Sequence, residues 1–158
     1  MQLYIMRHGQ ANPVGNIDHL RELTSTGYNE AQCMGKWVNQ QGISFLQVFV
    51  SPYVRAQQTA NTLLNEINGQ VQVATIDFLT PLDDAKKVHD YIDGICTDTH
   101  IEHLIIVSHM PLVSYLVETL TIDRQSPIFQ TAAIAQIDYD VEKMTGRLVR
   151  LIAPADLA

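Results

Sequence analysis

The chain has 158 residues, 46% of them hydrophobic and 17% charged, a balance that allows a sizeable core and argues against disorder, which goes with few apolar residues and much charge. A formal net charge of −7 with a pI of about 5.2 argues against a nucleic-acid binder, which needs a basic footprint to displace counterions from phosphates. No apolar run approaches the roughly 20 residues that span a bilayer.

Strand and helix patterns alternate along the chain. Leu3 to Met6 is a short apolar run ending at Arg7-His8-Gly9, the pattern of a buried strand meeting a turn. Residues 10 to 23 form a loop containing Asn12, Pro13, Gly15 and Asn16. Thr24, Ser25 and Thr26 are all capable N-caps for a helix from about Tyr28 to Gln41, with Ala31, Met34, Trp37 and Val38 on its apolar face and Gly42 placed to stop it. Phe45 to Val50 predicts a second strand, broken by Ser51-Pro52. A helix from about Val54 to Ile67 follows, ended by Asn68-Gly69.

Val71 to Ile76 predicts a third strand. The next helix starts near Asp83 and carries Val88, Tyr91, Ile92 and Ile95 at helical spacing. Leu104 to Val107 predicts the fourth strand, ending at Ser108-His109, and Pro111 sits near the start of the helix that follows. The chain ends in an expected hairpin: Ala132 to Tyr139, a turn through Gly146, then Leu148 to Ile152. With no internal repeat, low-complexity tract or linker, residues 1–158 are expected to form a single domain. The fold class is α/β: a three-layer α/β/α sandwich with a mostly parallel central sheet and a C-terminal antiparallel hairpin.

The first six residues lack the basic flank and long apolar stretch of a signal peptide. Cys33 and Cys96 fall in predicted helices without a Cys-x-x-Cys motif, which predicts free core thiols and a cytoplasmic location.

In an open parallel sheet, ligands bind outside the carboxyl ends of the strands. Three of the four predicted strands end there in a chemically loaded turn: Arg7-His8-Gly9, Ser51-Pro52-Tyr53-Val54-Arg55 and Ser108-His109. Only four basic residues occur in the first 85 positions, and Arg7, Arg21 and Arg55 fall in loops, whereas Lys36 is mid-helix. Two helix N-termini, near Val54 and Met110, should open on the same edge. Helix N-termini and guanidinium forks both suit a dianionic oxyanion such as phosphate. Each motif alone also has a purely structural reading. Ser51-Pro52 can simply stop a strand, and Ser108-His109 can be an ordinary helix-start loop. Their recurrence at three successive strand ends is what points to a site.

Together these motifs resemble the histidine phosphatase (phosphoglycerate-mutase-like) superfamily. The resemblance rests on Arg7-His8-Gly9, Ser51-Pro52-x-x-Arg55-Ala56-x-Gln58-Thr59, Arg21-x-Leu23-Thr24-x-x-Gly27 and Ser108-His109-x-Pro111-Leu112-Val113. It runs from Leu3 to about Ile137, and the short length is similar to that of the bacterial phosphohistidine phosphatases within the superfamily. The resemblance implies that His8 is a nucleophile that becomes phosphorylated. It also implies that Arg7, Arg55 and His109 bind the transferring phosphoryl group, with Arg21 a further phosphate contact. A histidine nucleophile must attack as neutral imidazole, and nearby guanidinium charges disfavour imidazolium.

One expected part is missing. Superfamily members commonly carry an acidic general acid after the third strand, where this chain has Ile76-Asp77-Phe78-Leu79-Thr80-Pro81-Leu82-Asp83-Asp84. Asp77 or Asp83 could substitute, but both also suit turn or cap positions. An alkoxide leaving group needs protonation. A phosphohistidine protonated on its other ring nitrogen leaves as neutral imidazole, whose conjugate acid has a pKa of about 6.5. The missing acid therefore favours a P–N substrate. Without long inserted loops the site should be open enough for a phosphorylated side chain on another protein. The resemblance implies, as partner, a histidine-containing phosphotransfer domain of a sensor kinase in two-component signalling. No cofactor, metal, nucleic acid or membrane is expected, and nothing requires more than a monomer. His19, His89, His100 and His103 are expected to be solvent-facing or turn residues. The rival readings are a phosphatase acting on small phosphate esters and a non-catalytic phosphate-binding module.

Overall fold

In the computed structural model, which describes residues 1–13 and 17–158, the first strand (β1) runs from Gln2 to Arg7. Its side chains alternate between two cores. Leu3 and Ile5 enter one hydrophobic cluster, and Tyr4 and Met6 the other. This is the two-residue period of a strand covered on both faces, and it explains why the run is continuously apolar.

Three more strands lie parallel to it: β2 (Phe45–Val50), β3 (Gln70–Thr75) and β4 (His103–Ser108). The hairpin strands β5 (Ile134–Asp140) and β6 (Thr145–Ile152) continue the sheet in antiparallel sense, giving the order β3-β2-β4-β1-β5-β6. Helices α1 (Ser25–Asn39) and α2 (Val54–Leu64) pack on one face, and α3 (Ala85–Asp98) and α4 (Leu112–Leu120) on the other. The result is the expected three-layer α/β/α sandwich. Among the described residues no helix is long and apolar enough to cross a membrane.

The register positions the site. Arg7 lies opposite Ser108, and Val50 opposite Val107. The carboxyl ends of β1, β2 and β4 are therefore level, and their three turns leave the sheet side by side.

Several boundaries differ from the sequence expectation, most of them for a visible local reason. Thr24 is the N-cap of α1 and accepts from the Gly27 N–H at 3.1 Å, so the helix begins at Ser25 rather than Tyr28. It ends at Asn39, ahead of Gly42, whose φ of 71° is a conformation natural to glycine. Helix α2 stops at Leu64, three residues before the expected Ile67. Asp84, not Asp83, caps α3, accepting from the Lys86 N–H at 2.9 Å. The hairpin turn lies at residues 141–144, because the Asp140 carboxylate draws in the Glu142 and Lys143 N–H groups. Gly146, expected in the turn, is instead in β6 opposite Tyr139.

Two expectations about side chains also change. Cys33 and Cys96 are free but only half-buried, rather than core thiols. His89 is not on an open polar face: it is half-buried and joins Tyr139 Oη at 2.8 Å and Thr119 Oγ1 at 3.2 Å, tying α3 to α4 and β5. Helical periodicity assigns a face, but not what another element lays over it. His19 and His100 are exposed as expected, whereas His103 opens β4 and is half-buried. Of the loop expected at 10–23, Val14, Gly15 and Asn16 lie outside the described residues. The rest carries a short 3-10 turn at Asp18–Leu20.

Candidate active site

The turn after β1 is held from several sides. The His8 N–H donates to Ser108 O and the His8 carbonyl accepts from the Ala132 N–H, both at 3.0 Å. The Gly9 N–H donates to Thr59 Oγ1 at 3.0 Å, and that hydroxyl donates to Arg55 O at 2.7 Å. One buried threonine therefore links the first loop to the first turn of α2. The start of α1 closes on the same loop: a Cβ on Gly9 would lie 2.6 Å from Gly27 O, and one on Gly27 would lie 2.1 Å from Gln10 O. Both positions require glycine because two backbones touch there.

These turns surround a cavity of about 400 Å³. Arg7, His8, Arg55 and His109 line it together with Arg21, and the loop of residues 17–21 also brings Asp18 to it. The structure thus gathers all five sequence-predicted residues into one pocket. His8 is buried and its ring centroid lies 5.1 Å from that of His109.

The hydrogen bonds assign the His8 tautomer. Nδ1 lies 2.7 Å from Gly9 O, a group that only accepts, so Nδ1 carries the proton. Nε2 then keeps its lone pair and accepts from Arg55 Nε–H at 3.2 Å. Burial lowers the His8 pKa to about 4; the Gly9 carbonyl opposes this, while the charges of Arg55, Arg7 and Arg21 add to it. His109 moves the same way, to about 2, through burial first and then His8 and the arginines. Both imidazoles are neutral at pH 7.

Two buried polar atoms of the pocket residues have no partner among the described residues: Arg7 Nε and His109 Nδ1. Arg7 also donates from Nη1 to Phe129 O at 2.7 Å, which fixes the guanidinium. His109 Nε2 lies 2.7 Å from Ser51 Oγ, which already accepts from the Tyr53 N–H and is free to donate to the ring. That arrangement puts the His109 proton on the orphaned Nδ1. Native interiors rarely leave such donors unpaired, and those on residues that line a cavity are available to an acceptor bound there. Three guanidiniums against the Asp18 carboxylate leave the cavity doubly positive, matching a phosphoryl dianion.

Comparison with known proteins agrees with this geometry. Residues 3–83 match the model of the histidine phosphatase superfamily (branch 1). The chain is 34% identical over 157 residues to the phosphohistidine phosphatase SixA of Escherichia coli (strain K12), covering 99% of this chain and 96% of that protein. The chain belongs to the histidine phosphatase superfamily. A SixA homolog of Haemophilus influenzae is 33% identical over 150 residues, covering 90% of this chain and 91% of the relative. A solved structure of the protein histidine phosphatase SixA complexed with tungstate superposes over all of both chains, with a TM-score of 0.94 and 33% identity.

Within this superfamily frame, the segment after β3 reaches the cavity only through Pro81. Asp77 is exposed and does not line the cavity, and Asp83 is engaged by the Thr80 N–H at 2.8 Å and by the Thr80 hydroxyl. Phe78 packs edge-on against Tyr91. Tyr53, beside the pocket, and Asp18, in its lining, were not singled out from the sequence. Tyr53 packs edge-on against His109, with ring centroids 5.0 Å apart, and lies 5.1 Å beneath the Arg55 guanidinium. Asp18 bridges Arg21 at 3.0 Å and Arg55 at 3.3 Å. Tyr53 stood inside a quoted motif, so its place was available to inspection. Asp18 had no signal beyond its position three residues before Arg21.

Proposed function

We propose that this chain, as a single domain, is a protein-phosphohistidine phosphatase that works through a covalent phosphohistidine on His8. The observation that carries the reading is the fixed tautomer: a neutral, buried His8 with its Nε2 lone pair held among three guanidiniums. The E. coli relative is named a phosphohistidine phosphatase, and the related solved structure holds tungstate, a tetrahedral oxyanion like phosphate.

In the first step the His8 Nε2 lone pair forms a bond to phosphorus. The bond to the substrate ring nitrogen breaks, and its electron pair stays on the departing imidazole, already protonated on its other nitrogen. In the second step water oxygen bonds to phosphorus, the bond from phosphorus to His8 Nε2 breaks with its electron pair returning to Nε2, and inorganic phosphate leaves carrying the water protons. Phosphoryl transfer asks mainly for positioning and charge stabilisation. Arg7, Arg55 and Arg21 supply positive charge to the equatorial oxygens, and His109 donates from Nδ1. Arg55 Nε–H covers the His8 lone pair, so the phosphoryl oxygens must take over this donor as the nucleophile is exposed.

The open rim fits a protein-borne substrate. Leu82 and Ile128 are 89% and 83% exposed beside Pro81 and Phe129, whose segments form part of the pocket wall. The partner we assign is a histidine-containing phosphotransfer domain of a sensor kinase, met by a monomer in the cytoplasm. Turnover of such a phosphorylated domain should be fast with wild type and abolished by His8→Ala, with weak turnover of para-nitrophenyl phosphate. Near-wild-type rates for His8→Ala would sink the mechanism. Fast ester turnover with phosphohistidine untouched would make the chain a small-ester phosphatase. Turnover of neither, with retained phosphate binding, would make it a binding module.

A further inference from the structure

A site built only to hold a phosphoryl dianion gains nothing from a carboxylate at its wall, since like charges repel. Yet Asp18 is the one acidic residue lining the cavity among the described residues. Its side chain is 58% exposed, whereas His8 and His109 are buried, so it stands at the mouth above the nucleophile. An in-line displacement puts the leaving group on the side of phosphorus opposite the His8 Nε2, which is the side of the mouth. Asp18 uses one oxygen on Arg21 Nε at 3.0 Å and the other on Arg55 Nη2 at 3.3 Å. A carboxylate offers about four acceptor sites, so it retains capacity for a further donor.

We infer that the Asp18 carboxylate accepts a hydrogen bond from the free ring N–H of a bound phosphohistidine and thereby selects phosphorus–nitrogen over phosphorus–oxygen substrates. This rests on the phosphohistidine phosphatase reading of the same pocket. Phosphohistidine is distinctive among the substrates considered because its leaving ring brings a donor, positively charged when protonated, next to the phosphoryl group. A hydrogen bond to a carboxylate favours that protonated form. When the P–N bond breaks, its electron pair stays on the ring nitrogen. The proton remains on the other nitrogen throughout, and neutral imidazole departs without a general acid. An ester places an uncharged oxygen at the same point, with no N–H for the carboxylate to accept from.

Asp18 has no proton to give. Partial burial raises its pKa, but hydrogen bonds and charge from Arg21 and Arg55 outweigh this and hold it below the usual carboxylate range. The charged or titratable groups around it are Arg21 and Arg55 in contact, His19 next in the chain, and Arg7, His8 and His109 deeper in the cavity. None of these carries a negative charge that could replace it.

The test is kcat/KM from pH 6 to 9 for wild type, Asp18→Asn and Asp18→Glu, on a phosphohistidine-bearing phosphotransfer domain and on para-nitrophenyl phosphate. In Asp18→Asn the preference for phosphohistidine over the ester should fall about tenfold above pH 7, where an unassisted ring loses its proton. The deficit should shrink toward pH 6, and Asp18→Glu should restore part of the preference. Equal losses on both substrates at every pH would mean that Asp18 only positions Arg21 and Arg55, and would overturn the inference. An unchanged preference in Asp18→Asn would overturn it too. Failure of the wild type itself on phosphohistidine, with the ester turned over, would instead remove the parent reading and this inference with it.

Discussion

At the scale of single residues, the pocket is organised around one lone pair. His8 Nδ1 is committed to the Gly9 carbonyl, and Arg55 Nε–H holds Nε2 in place while the rest of the guanidinium reaches Asp18. Arg55 therefore meets the proposed nucleophile, the carboxylate at the mouth and the expected phosphoryl oxygens with one planar group. Removing a preorganised donor from a site of developing charge costs about 10²–10³ in rate. Arg55→Ala should lower kcat/KM on para-nitrophenyl phosphate by about that factor. Arg55→Lys should recover little, because a point charge cannot reproduce the fork. Steady-state rates within a few fold of wild type for Arg55→Ala would remove it from the reaction.

At the scale of elements, three loops have to meet within hydrogen-bonding distance, and side-chain bolts hold them. Thr59, fully buried on α2, accepts from the Gly9 N–H and donates to Arg55 O. Ser108 Oγ donates to Leu79 O at 2.7 Å, fastening the end of β4 to the segment after β3. Thr59→Val keeps the volume but leaves the Gly9 N–H buried without an acceptor, which costs about 1–3 kcal/mol. For a chain of this size that corresponds to a Tm lower by roughly 2–12 °C. Turnover should fall as well, because the His8 turn loses its tie to the start of α2. Thermal melts beside a kcat measurement check this; an unchanged Tm and an unchanged kcat would show that the loops are held by backbone packing alone.

At the scale of the whole molecule, folding brings two imidazoles into an electropositive interior. His8 and His109 have folded-state pKa values far below the roughly 6.5 of an exposed histidine. The unfolded chain therefore binds protons that the folded chain refuses as pH falls below about 6.5. Stability from these groups is fully present above that value and declines as pH drops toward 4. Asp18, with its pKa depressed, adds a loss of the same sign at lower pH. Scanning calorimetry from pH 7.5 to 4.5 should show Tm falling with pH in wild type. The slope should be shallower in His8→Asn and His109→Asn. A slope unaffected by both substitutions would mean that neither ring is held neutral by the fold.

By itself the sequence determined the layers, the parallel sheet and the loaded strand ends. Those features depend on local signals that survive in one dimension: a continuous apolar run in Leu3–Met6, a helical period in α3, and the arginines of the first 85 residues falling at or just after the ends of predicted strands or in a loop. Arg7, His8, Arg55 and His109 were legible because each follows a strand at a place where open parallel sheets gather ligands. What lay beyond it were facts about pairs of distant groups. Only the tertiary structure decided that His89 faces Tyr139, that Asp83 is occupied by Thr80, and that Asp18 turns its carboxylate onto Arg55, 37 positions away. Periodicity assigns a side chain to a face, whereas hydrogen bonds depend on which atoms another element brings within about 3 Å of it, and that is settled only when the layers close.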